Sequence, residues 1–161
     1  MKKIIAAAAV LLVSAATLLA QNPKSLYRKY SDMKDVTAVY ISPAMFRLIG
    51  HLPEVKAAGD DVDLSPVIRS LSGMYIINCE KPSVANQLID EVEGYLDSGA
   101  YELLMEAKED GDLTRMYTVG DEETVRSFVL LNIEPDEATF ISIEGNIPRE
   151  ALEQMIVKSA E

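Results

Sequence analysis

Residues 101–119 read YELLMEAKEDGDLTRMYTV, and the fold turns on how that stretch is taken. Tyr101, Leu103, Met105 and Ala107 alternate with Glu102, Glu106 and Lys108, which is the period of a strand. The same residues also set Tyr101, Leu104, Met105 and Lys108 on one helical face, so periodicity alone does not decide. The turn decides: Asp110-Gly111 is a favoured two-residue hairpin connection, and Leu113, Arg115, Tyr117 and Val119 alternate beyond it. Residues 101–119 are therefore expected to form a β-hairpin.

Downstream the pattern continues. A turn at Gly120–Glu123 leads into a β-prone run from Thr124 to Ile133, and a second turn at Glu134, Pro135 and Asp136 leads into Thr139–Ile143. Four antiparallel strands in a meander follow from this order. A helix from about Pro148, with Ala151, Leu152, Met155 and Ile156 on one side, closes the chain.

Upstream, Asn22-Pro23 and Ser42-Pro43 each pair an N-cap residue with proline at the first helical position. The first opens a helix carrying Leu26, Tyr27, Tyr30 and Met33, the second one carrying Met45, Phe46, Ile49 and Leu52. Between them Val36–Ile41 is β-branched and apolar on both faces, the pattern of a buried strand. Glu54–Asp63 is polar and expected to be a loop. Ser65-Pro66 starts a brief helix with Val67, Ile68 and Leu71, broken at Gly73; Met74–Cys79 is a second strand. Pro82 and Ser83 open the most regular helix, with Val84, Leu88, Val92, Tyr95 and Leu96 on one stripe. Helices in the first half and hairpins in the second indicate an α+β fold, an antiparallel or mixed sheet of about six strands with helices packed on one face.

The first 20 residues have the layout of a cleavable secretory signal: Lys2 and Lys3, then an apolar run from Ile4 to Leu19 broken only by Ser14 and Thr17. That run is shorter than the roughly 20 apolar residues of a membrane span, and no basic cluster directly follows it. Cleavage after Ala20, or alternatively Ala16, leaves a single domain over 21–161 with no stable membrane anchor. The product is expected to be soluble, exported, and periplasmic or secreted. Its lone cysteine, Cys79, cannot form an internal disulfide and sits in an apolar run suited to an inert buried thiol.

The whole chain carries 15 basic and 26 acidic residues, net −11, and loss of Lys2 and Lys3 takes this to −13. Such a charge repels phosphate backbones, so nucleic acid is not an expected partner. His51 and Cys79 are too few for a zinc site or for the usual serine and cysteine nucleophile systems. Ser31-x-x-Lys34 matches a nucleophile pattern without its partner motifs and reads as a solvated helix end. No phosphate-loop, dinucleotide or nucleophile-elbow motif occurs. Three acidic clusters could in principle hold calcium: Asp60, Asp61 and Asp63; Glu109, Asp110 and Asp112; Asp121, Glu122 and Glu123. Each lies in a turn, where Asp serves conformation. The absence of Trp and an aromatic content of 6% weigh against a sugar cleft.

The stretches LYRKYSDMKDVTAVYISPAMF (26–46), YELLMEAKEDGD (101–112), FVLLNIE and FISIEGNI (within 128–147) resemble a family of small exported Bacteroidetes proteins, domain of unknown function 4252. The resemblance spans the mature chain and implies an α+β domain in a Bacteroides-like envelope; it supplies no catalytic residues. No catalytic, cofactor-binding or metal residue is assigned. The leading expectation is a non-enzymatic domain that binds another envelope component. A carboxylate-dependent hydrolase using residues such as Asp60 or Asp63 is the alternative, and a calcium-binding module the third.

Overall fold

The computed structural model describes residues 22–50 and 65–152. In chain order they form α1 (Pro23–Tyr30), β1 (Val36–Ile41), α2 (Pro43–Ile49), α3 (Ser65–Ser70), β2 (Leu71–Cys79), α4 (Pro82–Ser98), β3 (Glu102–Glu109), β4 (Asp112–Gly120), β5 (Thr124–Ile133) and β6 (Ala138–Pro148). The strands make one six-stranded sheet in the order β1-β2-β6-β5-β4-β3, antiparallel at every junction. The α+β expectation holds, and the sheet is the antiparallel rather than the mixed kind. Residues 149–152 are helical; Met155 and Ile156 lie outside the described residues, as do His51, Leu52 and the Glu54–Asp63 loop.

Local chemistry sets the elements as the sequence implies. Asn22 accepts from the Ser25 amide while the Ser25 hydroxyl answers the Asn22 amide, a reciprocal capping box with Pro23 behind it. Ser42 caps α2 through the Met45 amide. In the β3–β4 turn, Asp110 has φ 48° and Gly111 φ 101°, the two left-handed positions a type I′ turn requires.

One face of the sheet carries the core. On α4, Ala85, Leu88, Val92, Tyr95 and Leu96 are buried, the expected stripe with Ala85 in place of half-buried Val84. They meet Ile77 and Cys79 of β2, Val129 and Leu131 of β5 and Ala138 and Phe140 of β6, with Leu26 and Tyr30 of α1 joining the same cluster. Two short helices, α2 and α3, gather beside the start of β2, where Gly50 lies so close to Arg69 that a Cβ there would come within 2.7 Å of its side chain. Farther out, Arg115 of β4 ties the uncovered end of the sheet together, donating to Glu106 of β3 at 2.8 Å and Glu93 of α4 at 3.0 Å.

Two readings are corrected. β1 is an edge strand rather than a buried one, with Thr37, Val39 and Tyr40 exposed; apolar residues on both faces also suit an edge strand with one face open. The second strand begins at Leu71 rather than Met74, so Leu71 belongs to β2. Gly73 lies within it, beside a register irregularity between Leu71 and Gly73, and a side chain there would stand 3.5 Å from the Tyr75 ring.

Leu88→Ala is expected to lower unfolding free energy by about 3 kcal/mol through lost burial and a residual cavity. Gly94→Ala, mid-helix with nothing within 4 Å of the added methyl, is expected to raise it by about 0.5–1 kcal/mol, and Gly111→Ala to lower it because of its positive φ. Urea unfolding of the three variants checks all three signs.

Candidate functional site on the open sheet face

Strand register sorts the second face of the sheet into transverse rows. The central row runs Val39, Ile76, Ile141, Leu130, Met116 and Met105, one residue from each of the six strands, each paired with the next. On one side of it lie Ile41, Met74, Ile143 and Phe128, followed by Thr118 and Glu102. On the other lie Thr37, Asn78, Thr139, Asn132 and Thr114. Each of these rows also follows the printed pairing from strand to strand.

The polar row is cross-linked by side chains: Thr139 donates to Asn78 at 2.9 Å and Thr114 to Asn132 at 2.7 Å. Such pairs satisfy the groups in place and stiffen the strand register. The apolar rows contribute nothing to the buried core cluster. Their central members are half-buried, and the outer ones, Val39 at 40% and Met105 at 45%, are exposed. Beside Met105, Leu104 is exposed as well, at a register shift that interrupts the β3 edge and leaves Leu103, paired with Tyr117, on the opposite face. A contiguous apolar surface of this kind marks an interaction site more often than scattered exposed residues do.

A second feature lies on the helix-covered face, at the end of the core. Glu144 of β6 stands opposite Gly73 of β2 on one side and Ser127 of β5 on the other. Ser142, two residues earlier on the same face, stands opposite Tyr75 and Val129. Ser127 and Ser142 are 3% and 0% exposed, and neither hydroxyl has a hydrogen-bond partner among the described residues. Burial pushes the Glu144 carboxyl above the ordinary glutamate range. No ion pair or hydrogen bond reaches it from the described residues. Its charge is felt by both Tyr75 and Tyr95, whose hydroxyls are pushed up first by their own burial. Tyr75 stacks on Tyr40 at 4.9 Å between ring centroids, with Tyr27 5.9 Å from each. Tyr95 packs edge-on against Tyr101, 5.2 Å away, their hydroxyls hydrogen-bonded.

The residues singled out in the sequence fall elsewhere. Asp60, Asp61 and Asp63 lie outside the described residues, so the hydrolase alternative has no geometry. Asp121 accepts from the Glu123 and Thr124 amides at 3.0 and 2.8 Å, a turn-forming role, and these bonds hold its carboxyl below the usual range. It borders a shallow depression of about 450 Å³ with Glu102, Glu122 and Arg149, in which the Arg149 guanidinium is held by the Asp121 carbonyl. Glu109, Asp110 and Asp112 are exposed at the hairpin tip. Ser31 caps the end of α1, its hydroxyl aimed at the Arg28 carbonyl at 3.5 Å, with no Lys34 contact. Cys79 is fully buried, and burial pushes its thiol up to about 11. Sequence reasoning missed Glu144; counting alternate residues inward from Phe140 through Ser142 places it on the core side, and that was the available signal.

Among the described residues no helix is long and apolar enough to cross a membrane. The family described as "Domain of unknown function (DUF4252)" matches residues 30–155. No curated protein matches the chain.

Two measurements follow from these environments. Glu144 is harder to ionise folded than unfolded, so its favourable contribution is complete below the unfolded carboxyl value of about 4.3 and is lost as pH rises through the raised folded value. Glu144→Gln is accordingly expected to be more stable than wild type at pH 8, with the gain closing as pH falls to about 4; thermal melts across that range read the difference. Cys79 is expected to react with a disulfide reagent at pH 8 only after unfolding, so that labelling tracks urea denaturation.

Proposed function

The chain belongs to the DUF4252 family, and from that premise we propose that it is a non-enzymatic binding module, exported to the periplasm or beyond, that receives an envelope protein on the open face of its sheet. The observation that carries the reading is the six-strand apolar row from Val39 to Met105. Export is supported by the basic-then-apolar layout of residues 1–20, and a fold that buries its one cysteine is compatible with an oxidising compartment.

Charge narrows the chemistry of the partner. The chain is acidic overall, and Glu102, Glu109 and Asp112 stand exposed at the β3 side of the sheet, so the matching surface is an apolar ridge fringed by Lys and Arg. Opposite potentials speed encounter and select orientation, while the apolar rows supply affinity through area removed from water. The polar row fixes one border, since hydrogen-bonded Thr and Asn pairs gain nothing from burial under an apolar partner.

A photoreactive residue at Val39 or Met105, irradiated in cells, tests this. The expected result is a discrete adduct to one envelope protein, mapped by mass spectrometry to an apolar segment flanked by basic residues. The adduct should be lost in the Ile141→Lys background without loss of the folded far-ultraviolet spectrum. Adducts only to a second copy of the chain, or only to its own residues 153–161, would overturn the proposal.

A further inference from the structure

We infer that the free edge of β1 takes an extended acidic peptide from another protein as a seventh strand of the sheet. The edge is separate from the apolar rows of the open face, and the inference does not rest on what those rows bind.

The two edges of the sheet are built differently. An unpaired edge strand is a template for another chain, and proteins guard such edges with charged side chains and bulges. β3 is guarded in both ways: Glu102, Glu106, Lys108 and Glu109 are charged, and its register is broken between Leu103 and Met105. β1 reads VTAVYI, with no charge, proline or glycine, and it pairs with β2 without a break from Val36 to Ile41. It is the regular, unguarded edge.

The backbone groups it offers can be named. The Glu80 amide donates to the Asp35 carbonyl at 3.2 Å, and these two residues continue the β1–β2 register by one step. Bonded and non-bonded pairs alternate along an antiparallel ladder, so Thr37, Val39 and Ile41 exchange bonds with β2. The N–H and C=O groups of Val36, Ala38 and Tyr40 therefore point away from the sheet, and among the described residues no strand meets them. Such an edge is completed by main-chain bonds from an added strand, with alternate side chains giving selectivity. Tyr40, exposed and stacked on Tyr75, offers a ring to the peptide's side chains on one face of the sheet, and exposed Val39 offers an apolar contact on the other.

Charge selects the peptide. In a chain with 26 acidic and 15 basic residues, residues 22–50 carry Lys24, Arg28, Lys29, Lys34 and Arg47 against Asp32 and Asp35 alone. Lys29 is occupied by Glu91 of α4. Lys34, just before β1, and Arg47, on α2 just after it, are exposed, and among the described residues no carboxylate pairs with either. Arg28 is close enough to Tyr75, the cross-strand partner of Tyr40, for its charge to be felt by that hydroxyl. The edge is thus bracketed by cations in an otherwise acidic protein, and opposite potential steers and orients an acidic strand onto it. Two β1 edges would bring the same cations face to face, and the guards on β3 keep that strand from serving as the added one, so the occupant is a different chain.

The test uses the full chain and three synthetic peptides: acetyl-Glu-Val-Thr-Val-Thr-Val-Glu-amide, the same peptide with Lys in place of Glu, and the acidic peptide N-methylated at alternate residues. Saturable binding of the first is expected by calorimetry, with each of the others at least about tenfold weaker. Amide hydrogen exchange should slow at Val36, Ala38 and Tyr40 and stay unchanged at Glu102–Glu109. Ala38→Pro deletes one outward N–H at a position where an edge strand tolerates proline, and should weaken binding at least about tenfold. Lys34→Glu combined with Arg47→Glu should reverse the preference between the acidic and lysine peptides, a readout that stands even where the proline variant does not fold. No saturable binding, equal binding of the acidic and lysine peptides, or slowed exchange on β3 in place of β1 would overturn the inference. So would slow exchange at Val36, Ala38 and Tyr40 before peptide is added. Independent of protein concentration, it would mean that the chain fills its own edge; rising with concentration, that a second copy does.

Discussion

Leu88 and Val92 of α4 meet Ile77, Phe140, Val129 and Leu131 of the sheet with no exposed surface left on any of them, and the rest of the architecture is conditioned by that contact. With one free thiol and no disulfide, the fold rests on this excluded water. Width then limits coverage. Six strands spaced about 4.8 Å apart span roughly 24 Å, while a helix with its side chains covers about 10 Å. Helix α4 lies over β2, β6 and β5, and α1 over β1 and β2. Among the described residues no helix gives the β3 edge such cover, and every residue of β3 is exposed.

One-sided packing has two consequences for function. Among the described residues it leaves the reverse face as a single layer whose Val, Ile, Leu, Met and Phe side chains are not used by the core cluster. It also gives the core an end: beyond the Tyr75 and Tyr95 rings the inward positions change from Phe140 to Ser142 to Glu144, and apolar packing gives way to unpaired polar groups. Both features are local departures from what a stable core requires, and such departures concentrate where proteins bind something.

Much of the fold was legible because its determinants are local. The Asp110-Gly111 turn, the Asn22 and Ser42 caps and the α4 stripe each act over a few residues, and each is where the sequence places it. The strand order β1-β2-β6 was not legible, since pairing between positions as distant as Tyr75 and Ser142 leaves no short-range mark. Val36–Ile41 misled for a related reason: residues apolar on both faces suit a covered strand and an edge strand with an open face equally well. Glu144 escaped notice because, outside its register, it is one carboxylate among 26 acidic residues. Only its opposition to Gly73 and Ser127 gives it a distinct environment.

The claim that one sheet face is the core and the other is free can be measured directly in the isolated protein. A soluble paramagnetic gadolinium chelate broadens methyl resonances according to their distance from solvent. The account predicts strong broadening for Ile76, Ile141, Leu130 and Met116 beside unaffected signals for Ile77, Leu131 and Val129, their immediate sequence neighbours on the opposite face. Equal protection of both sets in the monomer would contradict it, because the rows from Val39 to Met105 would then be part of a second core.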